Sequence, residues 1–389
     1  MNKQKLIRIT TVPISLEKLL EGQLGFMNDH FEVTAISSEK ERLEKYGKAE
    51  RISTFYVEMT RKITPIKDLQ AVWKLYHFLK KIKPAIVHTH TPKAGIVGML
   101  ASYLARVPNR LHTIAGLPLL EAKGIKRKVL NRVEKFTYSL ATKVYPNSKG
   151  LFDIILTKNF VTPNKMKIIG NGSSNGIDTN YFSPTHFSKT QNIQKRKELG
   201  IPINEFIFVF VGRLVADKGI NELVEAFNSL NSSLPNPLPI PIGTTLVLVG
   251  PEEEELDPLS DKTKKTILEN PKIITTGYQE DVRPFFAMSN ALVFPSYREG
   301  FPNVVMQAGA MGLPSIVSNI NGCNEIIEDN YNGLIIPVKD KEALYNAMLL
   351  LLNEKQLTEK LTSNSRKSIV RRYQRQTIWD AILEEYLNL

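Results

Sequence analysis

Apolar runs alternate with amphipathic segments along the chain, in two successive series. Seven runs of the first series predict strands: LIRITT, FEVTAIS, RISTFYVEM, AIVHTH, NRLHTIA, KVYPNS and KMKIIGN. Six runs do so in the second: FIFVFVG, TLVLVG, KIITTG, ALVFPS, PSIVSN and GLIIPV. Segments of helical period, such as KDLQAVWKLYHFLKKI, lie between them. Such alternation predicts an α/β protein with two Rossmann-like domains, each a parallel sheet covered by helices on both faces.

The boundary between the two series lies near residues 175–191, where the chain is polar and weakly periodic. A length of 389 residues suits two domains, since a domain usually takes about 150 residues. We therefore expect one domain over residues 1–180 and another over 181–370, the latter entered by a helix at about Ile193–Leu199. The proline-rich stretch Ser232–Gly243 predicts a surface loop insertion.

Composition is that of a soluble globular protein, with 42% hydrophobic and 23% charged residues. No run of 18 apolar residues could span a bilayer. The first residues enter a strand without the apolar core and cleavage site of a signal peptide, so a cytoplasmic location is expected. A single cysteine, Cys323, excludes an internal disulfide.

Positive charge is concentrated in the first half of the chain. Residues 1–180 have 30 Lys and Arg against 14 Asp and Glu, whereas residues 181–389 have 21 against 25. This asymmetry indicates an anionic partner for the first domain, either a membrane surface, a pyrophosphate-linked acceptor or nucleic acid. Nucleic acid is not expected as a partner, because no recognition motif accompanies the charge. A basic surface that only keeps the protein soluble is the alternative.

The segment from Lys123 to Leu140 predicts a basic amphipathic helix. Its apolar positions share one helical face, and these are Ile125, Val129, Val133, Phe136 and Leu140. Such a helix can adhere to an anionic leaflet, while a core-packed helix with a solvated face is the alternative. Because the domain core needs the apolar stripe, we expect this stripe to pack inward and the cations to supply electrostatic adhesion.

Charged side chains follow two of the predicted strands in the second series. Arg213 and Lys218 come after FIFVFVG, and Glu299 comes after ALVFPS. Open α/β sheets bind ligands at strand ends, and cations beside the free N–H groups of a helix start suit a diphosphate. Two solvated surface residues are the alternative for Arg213 and Lys218.

The segments VGRLVADKG and YREGFPNVVMQAGAMGLP resemble those of the family 4 retaining glycosyltransferases, which have the GT-B fold. The resemblance runs from LIRITT to NGCNEII, and HTHTPKAG and GNGSSNGID are most similar to bacterial capsule, O-antigen and lipid-linked oligosaccharide transferases. It implies two sheets facing each other across an interdomain cleft, with an acceptor-binding first domain and a nucleotide-sugar-binding second domain. It also implies a C-terminal helix, residues 371–389, that returns to the first domain.

The resemblance further implies a nucleotide-sugar donor bound by Arg213 and Lys218, with Glu299 facing the sugar hydroxyls. The donor loop that follows comprises Gly300, Phe301, Pro302, Asn303 and Val304, of which Pro302 cannot donate an N–H. The second glutamate of the family signature is Gln307 here, which keeps a carbonyl acceptor for ribose but loses the charge. An ordinary helix residue is the alternative for Gln307. No Asp-x-Asp triplet occurs, so protein cations are expected to replace a metal, and no cofactor is expected.

Histidines mark the strand ends of the first series. His88 and His90 share a strand face, but no third ligand has a spacing that completes a metal site, so no metal is expected. A satisfied structural histidine is the alternative for His88. We expect the strand exit to meet the acceptor through His90, Thr91, Lys93 and, in the turn Ala115–Pro118, Gly116. The resemblance implies that His112 contacts the donor sugar and acts in catalysis, and a core histidine is the alternative.

These observations predict a metal-independent retaining glycosyltransferase that works at the inner face of the bacterial cytoplasmic membrane. We expect transfer of a hexose or N-acetylhexosamine from a nucleotide sugar, UDP-linked, to a lipid-linked or polysaccharide acceptor of the cell surface. A nucleotide-sugar epimerase of similar fold and a non-catalytic nucleotide-sugar or glycan-binding subunit are the alternatives. A redox Rossmann enzyme is disfavoured, because no GxGxxG follows either first strand.

Overall fold

The computed structural model describes residues 3–60, 62–117, 119, 122–232, 243–253, 255 and 257–389. Their contacts divide the chain into two compact units. The first comprises the residues up to Gly176 together with Arg375–Leu389, and the second comprises Ile177–Gln374. Both divisions lie four residues from the predicted boundaries at 180 and 370. Most of the predicted loop Ser232–Gly243 lies outside the described residues.

The first unit contains a six-stranded parallel sheet of order β3-β2-β1-β4-β5-β6. Its strands are β1 (Lys5–Ile9), β2 (Glu32–Ser37), β3 (Ser53–Tyr56), β4 (Ile86–His90), β5 (Asn109–Ile114) and β6 (Lys143–Pro146). The prediction of a seventh strand at KMKIIGN is wrong. That segment makes only an isolated bridge between Val144 and Met166, because β6 is the last strand of the sheet.

Helices cover both faces of this sheet. In chain order they are α1 (Pro13–Leu19), α2 (Gln23–Asn28), α3 (Lys40–Glu50), α4 (Pro65–Ile82), α5 (Pro92–Leu104), α6 (Gly124–Leu140) and α7 (Lys149–Thr157). Leu6 of β1 packs in one core with Leu16 and Leu43, whereas Ile7 packs in another with Leu75 of α4. Because successive strand residues point to opposite faces, α1–α3 lie on one face and α4–α6 on the other.

The second unit repeats this architecture, with a parallel sheet of order β12-β11-β10-β7-β8-β9. Its strands are β7 (Phe206–Val211), β8 (Thr244–Val249), β9 (Ile273–Thr275), β10 (Ala291–Phe294), β11 (Ser315–Ser318) and β12 (Gly333–Ile336). Its helices are α8 (Lys189–Glu198), α9 (Ile220–Ser232), α10 (Asp261–Glu269), α11 (Arg283–Met288), α12 (Asn303–Ala310), α13 (Cys323–Ile326), α14 (Lys341–Asn353) and α15 (Lys355–Tyr373). The central strands are buried on both faces, which explains their continuous apolar sequences.

The last helix, α16 (Arg375–Leu387), belongs to the first unit. Its Ile378, Ile382 and Tyr386 are buried in the same core as Leu6 and Leu16. The hydroxyl of Tyr386 accepts a 2.5 Å hydrogen bond from the buried guanidinium of Arg8. The predicted return of the C-terminal helix to the N-terminal domain is therefore confirmed.

Helix α6 forms where the sequence predicts it, but the predicted inward orientation of its apolar stripe is wrong for most of the stripe. Three of its five residues face solvent, with exposed fractions of 81% for Ile125, 44% for Val129 and 47% for Phe136, whereas Val133 is half-buried and Leu140 is buried in the core. The buried side of α6 instead carries Glu134 and Tyr138, which are nearly opposite this stripe. The aromatic ring of Tyr138 is fully buried in the core over the sheet, so the core does not need the exposed part of the stripe. None of the helices in the described part of the chain is long and apolar enough to cross a bilayer.

Candidate functional site

The first candidate site lies where the strand order of the second unit reverses. The chain runs outward from β7 to β8 and β9, and then β10 returns to pair with the other edge of β7. Ligands of open α/β sheets bind at this kind of switch point, outside the carboxyl ends of the strands. The loops after β7 and β10 both begin at this edge, and they contain Arg213, Lys218 and Glu299.

The loop after β7 approaches the loop after β10 through a glycine. Gly219 has a φ of 73°, and a Cβ there would lie 2.2 Å from the carbonyl oxygen of Pro295. Only glycine tolerates both the left-handed backbone and this contact. Lys218 ends a short 3-10 turn immediately before Gly219, so the close approach places it against the second loop.

Lys218 and Glu299 form an ion pair in which both side chains are mostly buried. The same carboxylate oxygen, Oε1, accepts a 3.1 Å hydrogen bond from the hydroxyl of Ser296. A second pair, Arg298 with Asp217 at 2.6 Å, also joins the two loops. Glu299 is therefore held through one oxygen, while its Oε2 has no partner among the described residues.

Arg213 also follows β7 and is half-exposed. Its Nη1 is 2.9 Å from the carboxylate of Glu253, which follows β8. The sequence did not single out Glu253, although its position in an acidic run after a buried strand could have done so.

The start of the predicted donor loop, together with Glu299, is fixed by the loop after β11. The side-chain amide of Asn321 donates to the carbonyl oxygen of Glu299 and, at 3.2 Å, to that of Gly300. Gly322 has a φ of 77°, and a Cβ there would lie 2.5 Å from the same Gly300 oxygen. Sequence reasoning assigned no role to Asn321 or Gly322, although both lie in the NGCNEII segment that carries the family resemblance.

Helix α12 begins within the donor loop. Phe301 is buried against Tyr373, with ring centroids 5.4 Å apart, and Pro302 immediately precedes the helix. The first N–H groups of a helix have no acceptor within it, so those of Asn303 and Val304 are available at this end. Gln307 lies one turn further on and is half-buried. It shares the face of Asn303, as residues four apart do.

Cys323 packs beneath the ion pair. Burial raises the pKa of the Cys323 thiol well above its ordinary value, and the nearby charge of Glu299 adds to the effect. The thiol is therefore protonated and apolar in character.

The strand order of the first unit reverses between β1 and β4, and predicted acceptor residues lie there. Thr91 has a φ of 78°, which is strained for a non-glycine residue, and its hydroxyl is 2.7 Å from that of Thr11. Lys93, in the first turn of α5, forms an ion pair with Asp68 of α4. Gly116 follows the neighbouring strand β5, and among the described residues no atom lies within 4 Å of a Cβ placed there.

His88 and His90 share one face of β4, as the sequence predicts, and their rings stack with centroids 4.4 Å apart. His88 is fully satisfied, with Nδ1 2.5 Å from the Tyr386 hydroxyl and Nε2 2.7 Å from that of Thr113. This placement agrees with the structural-histidine alternative. Burial lowers the pKa of both histidines well below the ordinary value, so both are neutral at physiological pH.

His90 borders a cavity of about 20 Å³ that it shares with Arg8 and Asn147. Within the described ranges, His90 Nε2 and Asn147 Oδ1 are buried without a hydrogen-bond partner. A cavity of this size has room for about one water molecule. No group of three or more His, Cys, Asp or Glu residues in the part of the chain that is described could hold a metal ion.

His112 lies in the core. Its Nδ1 is 2.8 Å from the Thr89 hydroxyl, and α5 covers its ring so closely that a Cβ at Gly95 would lie 2.6 Å from the ring carbon Cε1. Burial lowers the pKa of His112 to about 4. The placement agrees with the core-histidine alternative, and a contact of His112 with the donor sugar stays a prediction. The turn that follows ends at Pro118, which lies outside the described residues.

Comparisons with known proteins agree with this architecture. A family model described as glycosyl transferases group 1 matches residues 191–368, and one described as glycosyl transferase 4-like matches residues 22–148. The capsular polysaccharide biosynthesis glycosyltransferase CapM of Staphylococcus aureus is 30% identical, covering 99% of this chain and 97% of the relative. The UDP-Gal:alpha-D-GlcNAc-diphosphoundecaprenol alpha-1,3-galactosyltransferase of Escherichia coli is also 30% identical, covering 93% and 90%.

Solved structures share the fold at lower identity. The Anabaena protein Alr3699/HepE, in complex with UDP and glucose, superposes with a TM-score of 0.80 at 20% identity, covering 99% of this chain and 100% of that one. A glycosyltransferase from Rickettsia africae superposes equally well, at 21% identity, covering 99% and 98%.

Proposed function

This chain belongs to family 4 of the glycosyltransferases and has their GT-B fold, and on that premise we propose that it is a retaining, metal-independent enzyme of cell-surface glycan synthesis. It transfers a hexose or N-acetylhexosamine from a UDP-linked donor to a lipid-linked or polysaccharide acceptor. The observation that carries the proposal is the Lys218–Glu299 pair at the switch point between β7 and β10. The E. coli relative, whose name specifies a UDP-sugar and a diphosphoundecaprenol acceptor, supports the substrate classes.

Arg213 and Lys218 bind the diphosphate of the donor. The Arg213–Glu253 pair is exposed, and exposed pairs contribute only about 0–1 kcal/mol, so a diphosphate with two negative charges displaces Glu253. Arg213 then binds phosphate oxygens through its planar fork, and Lys218 supplies a second positive charge. These preorganised cations stabilise the charge that grows on the leaving group.

Glu299 orients the donor sugar. Its Oε1 is occupied by Lys218 and Ser296, which leaves Oε2 to accept a hydrogen bond from a sugar hydroxyl. The N–H groups of the donor loop and of the start of α12 are further donors to the sugar and the diphosphate. Gln307 offers its carbonyl oxygen to a ribose hydroxyl of the nucleotide.

The reaction retains configuration by front-face return. The bond between the anomeric carbon and the diphosphate oxygen breaks, and the acceptor oxygen bonds to that carbon from the same face. The proton of the acceptor hydroxyl passes to the departing diphosphate, so no protein nucleophile is required. The cations perform the role that a divalent metal performs in other glycosyltransferases, and no metal or cofactor takes part.

The first unit binds the acceptor through the strand ends that contain His90, Thr91, Lys93 and Gly116. The strongly basic first 180 residues place the enzyme on the cytoplasmic face of the anionic membrane, where lipid-linked acceptors reside. The relatives named above are transferases, which does not favour the epimerase or the non-catalytic subunit.

The test identifies the donor first and then the product. Thermal shifts across nucleoside diphosphates find the nucleotide, because a ligand that binds the folded state raises the melting temperature. Each sugar of that nucleotide is then incubated with a lipid-diphosphate saccharide, and the product is examined by NMR. An α-linked product from an α-linked donor supports the proposal. A β-linked product would contradict retention, and a changed sugar nucleotide without acceptor would indicate an epimerase.

A further inference from the structure

Exposed large hydrophobic residues are concentrated on one surface of the first unit. Of the eighteen such residues in the described ranges, nine lie on the outer side of α4, α5 and α6 or directly before α4. They are Ile63, Ile66, Leu69, Trp73, Tyr103, Leu104, Ile125, Val129 and Phe136. We call this surface the α4–α6 face. Single exposed apolar residues are ordinary, but a contiguous group marks an interaction site.

On α4 the exposed apolar residues form a helical stripe. Ile66, Leu69 and Trp73 follow the spacing i, i+3, i+7, and Trp73 is 65% exposed. The opposite side of the helix buries Leu75 and Leu79 in the core, so the stripe does not serve the fold. An open groove of about 840 Å³ runs along it and reaches Leu104 at the end of α5.

Helix α6 has a second stripe of the same kind. Ile125, Val129 and Phe136 follow the spacing i, i+4, i+11, with the cation Arg132 at i+7. These three residues belong to the five-residue stripe that was expected to pack inward. Both α4 and α6 pack against α5, which lies between them, so the two stripes border one continuous surface.

The same segment contains the positive charge of the molecule. Residues 61–140 include sixteen Lys and Arg against three Asp and Glu, a net charge of +13, which exceeds the +12 of the entire chain. Of these three acidic residues, Asp68 is paired with Lys93 and Glu134 is buried. The described part of this face therefore presents cations and apolar side chains together.

We propose that the α4–α6 face inserts its apolar side chains into an anionic lipid leaflet while its cations bind the head groups. Charge complementarity selects lipid as the occupant, because a second copy of this chain that docked through the same face would bring an equally positive surface. Aromatic side chains such as Trp73 favour the interfacial depth of a bilayer. The mode of attachment is thus insertion in addition to electrostatic adhesion, and it does not depend on the proposed transfer reaction.

The orientation of the helices connects this surface with the acceptor residues. Each helix follows a strand and runs back along the sheet, so the starts of α4 and α6 lie at the carboxyl edge of the strands. Lys93, in the first turn of α5, is at the same edge and contacts Asp68 in the first turns of α4. A membrane held by Ile66 and Ile125 therefore lies beside the predicted acceptor residues.

The experiment measures binding of the full chain to vesicles, without donor or acceptor. Vesicles of equal parts phosphatidylglycerol and phosphatidylcholine are compared with pure phosphatidylcholine vesicles. Trp73 reports insertion, because brominated acyl chains quench a tryptophan that enters the leaflet, and Trp73→Phe identifies its share of the signal. Insertion predicts quenching that persists in about 1 M salt, where the Debye length is about 3 Å.

A triple variant tests the apolar contribution. Ile125→Ser, Val129→Ser and Phe136→Ser together are expected to lower the vesicle partition coefficient at least about tenfold, because apolar area no longer enters the leaflet. The matched control is Leu268→Ser with Tyr278→Ser, two residues of the second unit that are 86% and 71% exposed, and it should bind as the wild type does. Melting temperatures confirm that both variants are folded.

Three results would overturn the proposal. These are wild-type binding by the triple variant, binding that about 1 M salt abolishes without any quenching of Trp73, and no binding to anionic vesicles. A change of oligomeric state in the triple variant, seen by light scattering without vesicle binding, would assign the face to a protein partner instead. Glycosyl transfer to a soluble acceptor is measured in a separate assay. If neither the wild type nor the variants transfer sugar, the proposed function fails and the vesicle-binding result is unaffected.

Discussion

Lys218 and Glu299 meet although 81 positions separate them in the chain. Their contact depends on two strand ends at one sheet edge and on the close approach at Gly219. Sequence reasoning found both residues because each follows a buried apolar run. The family resemblance, and not a local pattern, assigned His112 a direct role. The burial of that imidazole depends on α5 packing at Gly95, and no local pattern in the sequence reports such packing.

Removal of the cations should impair catalysis more than acceptor binding. Lys218→Ala is expected to lower kcat by about 10²–10³-fold, the usual cost of losing one preorganised charge-stabilising group, and Arg213→Ala should act in the same direction. Steady-state kinetics with varied acceptor concentration measure kcat and KM separately. Lys262→Ala, which removes an exposed lysine paired with Glu225 on the same unit, is the control. Wild-type turnover by both Arg213→Ala and Lys218→Ala would remove these cations from the mechanism.

Gln307→Glu should leave kcat largely intact. The carboxylate keeps an acceptor for ribose and adds a charge-assisted hydrogen bond, so the affinity for the nucleotide should hold or rise. Calorimetric titration with the nucleoside diphosphate measures that affinity, and Gln307→Leu, which removes the acceptor, is the contrasting variant. Equal affinities for all three proteins would show that Gln307 is an ordinary helix residue.

Acid should destabilise the first unit. The folded pKa of His112 is about 4, below its ordinary 6.5, so between these values the unfolded chain binds the additional proton. The contribution to the free energy of unfolding is full above about pH 6.5 and is lost as pH falls toward 4, by about 3 kcal/mol for this group. His88 and His90 shift in the same direction. Denaturant melts from pH 7 to 4 should show a smaller loss for His112→Gln than for the wild type, and identical pH dependence would contradict this assignment.

Strands were predictable at the scale of elements because parallel strands buried on both faces need continuous apolar runs. Twelve of the thirteen predicted strands form, and the exception, KMKIIGN, lies beyond the last strand of its sheet. The helical period of α6 was equally predictable from the sequence. Its orientation was not, because an apolar stripe looks the same whether it meets a core or a membrane. Tyr138, which lies outside the stripe, fills the core position instead.

Gly219→Ala tests the junction between the loops after β7 and β10. A methyl group there would lie 2.2 Å from the Pro295 oxygen, so the loops must separate and Lys218 must move. Because misplacement of a catalytic group by about 1 Å can cost about 10²-fold in rate, kcat should fall strongly. Gly312→Ala is the matched control. Gly312 has a φ of 85°, and a Cβ there would have no atom of the described residues within 4 Å, so this substitution costs only backbone strain of about 1–2 kcal/mol. Equal kcat values for the two variants would contradict the role of the junction.

The whole molecule has two similar units, and the chain passes from the first to the second after Gly176 and returns after Gln374. The alternation of apolar runs with helical segments predicted two Rossmann-like domains. The polar stretch at residues 175–191 placed the boundary between them within a few residues of the observed one. The return of α16 could not be derived from its periodicity. The prediction came from the family resemblance. Apolar residues four apart show that a helix packs against a core, but they do not show in which of the two units that core lies. The buried contact of Tyr386 with Arg8 supplies a physical reason, since the Tyr386 hydroxyl accepts one hydrogen bond from a buried cation in β1.

The central claim is that Arg213 and Lys218 replace a divalent metal in stabilising the leaving diphosphate. The most direct test is the turnover number with the nucleotide-sugar donor before and after complete chelation by EDTA. The account predicts that turnover is unchanged by the chelator and by added Mg²⁺ or Mn²⁺. Loss of turnover on chelation, with recovery when the metal is restored, would contradict it.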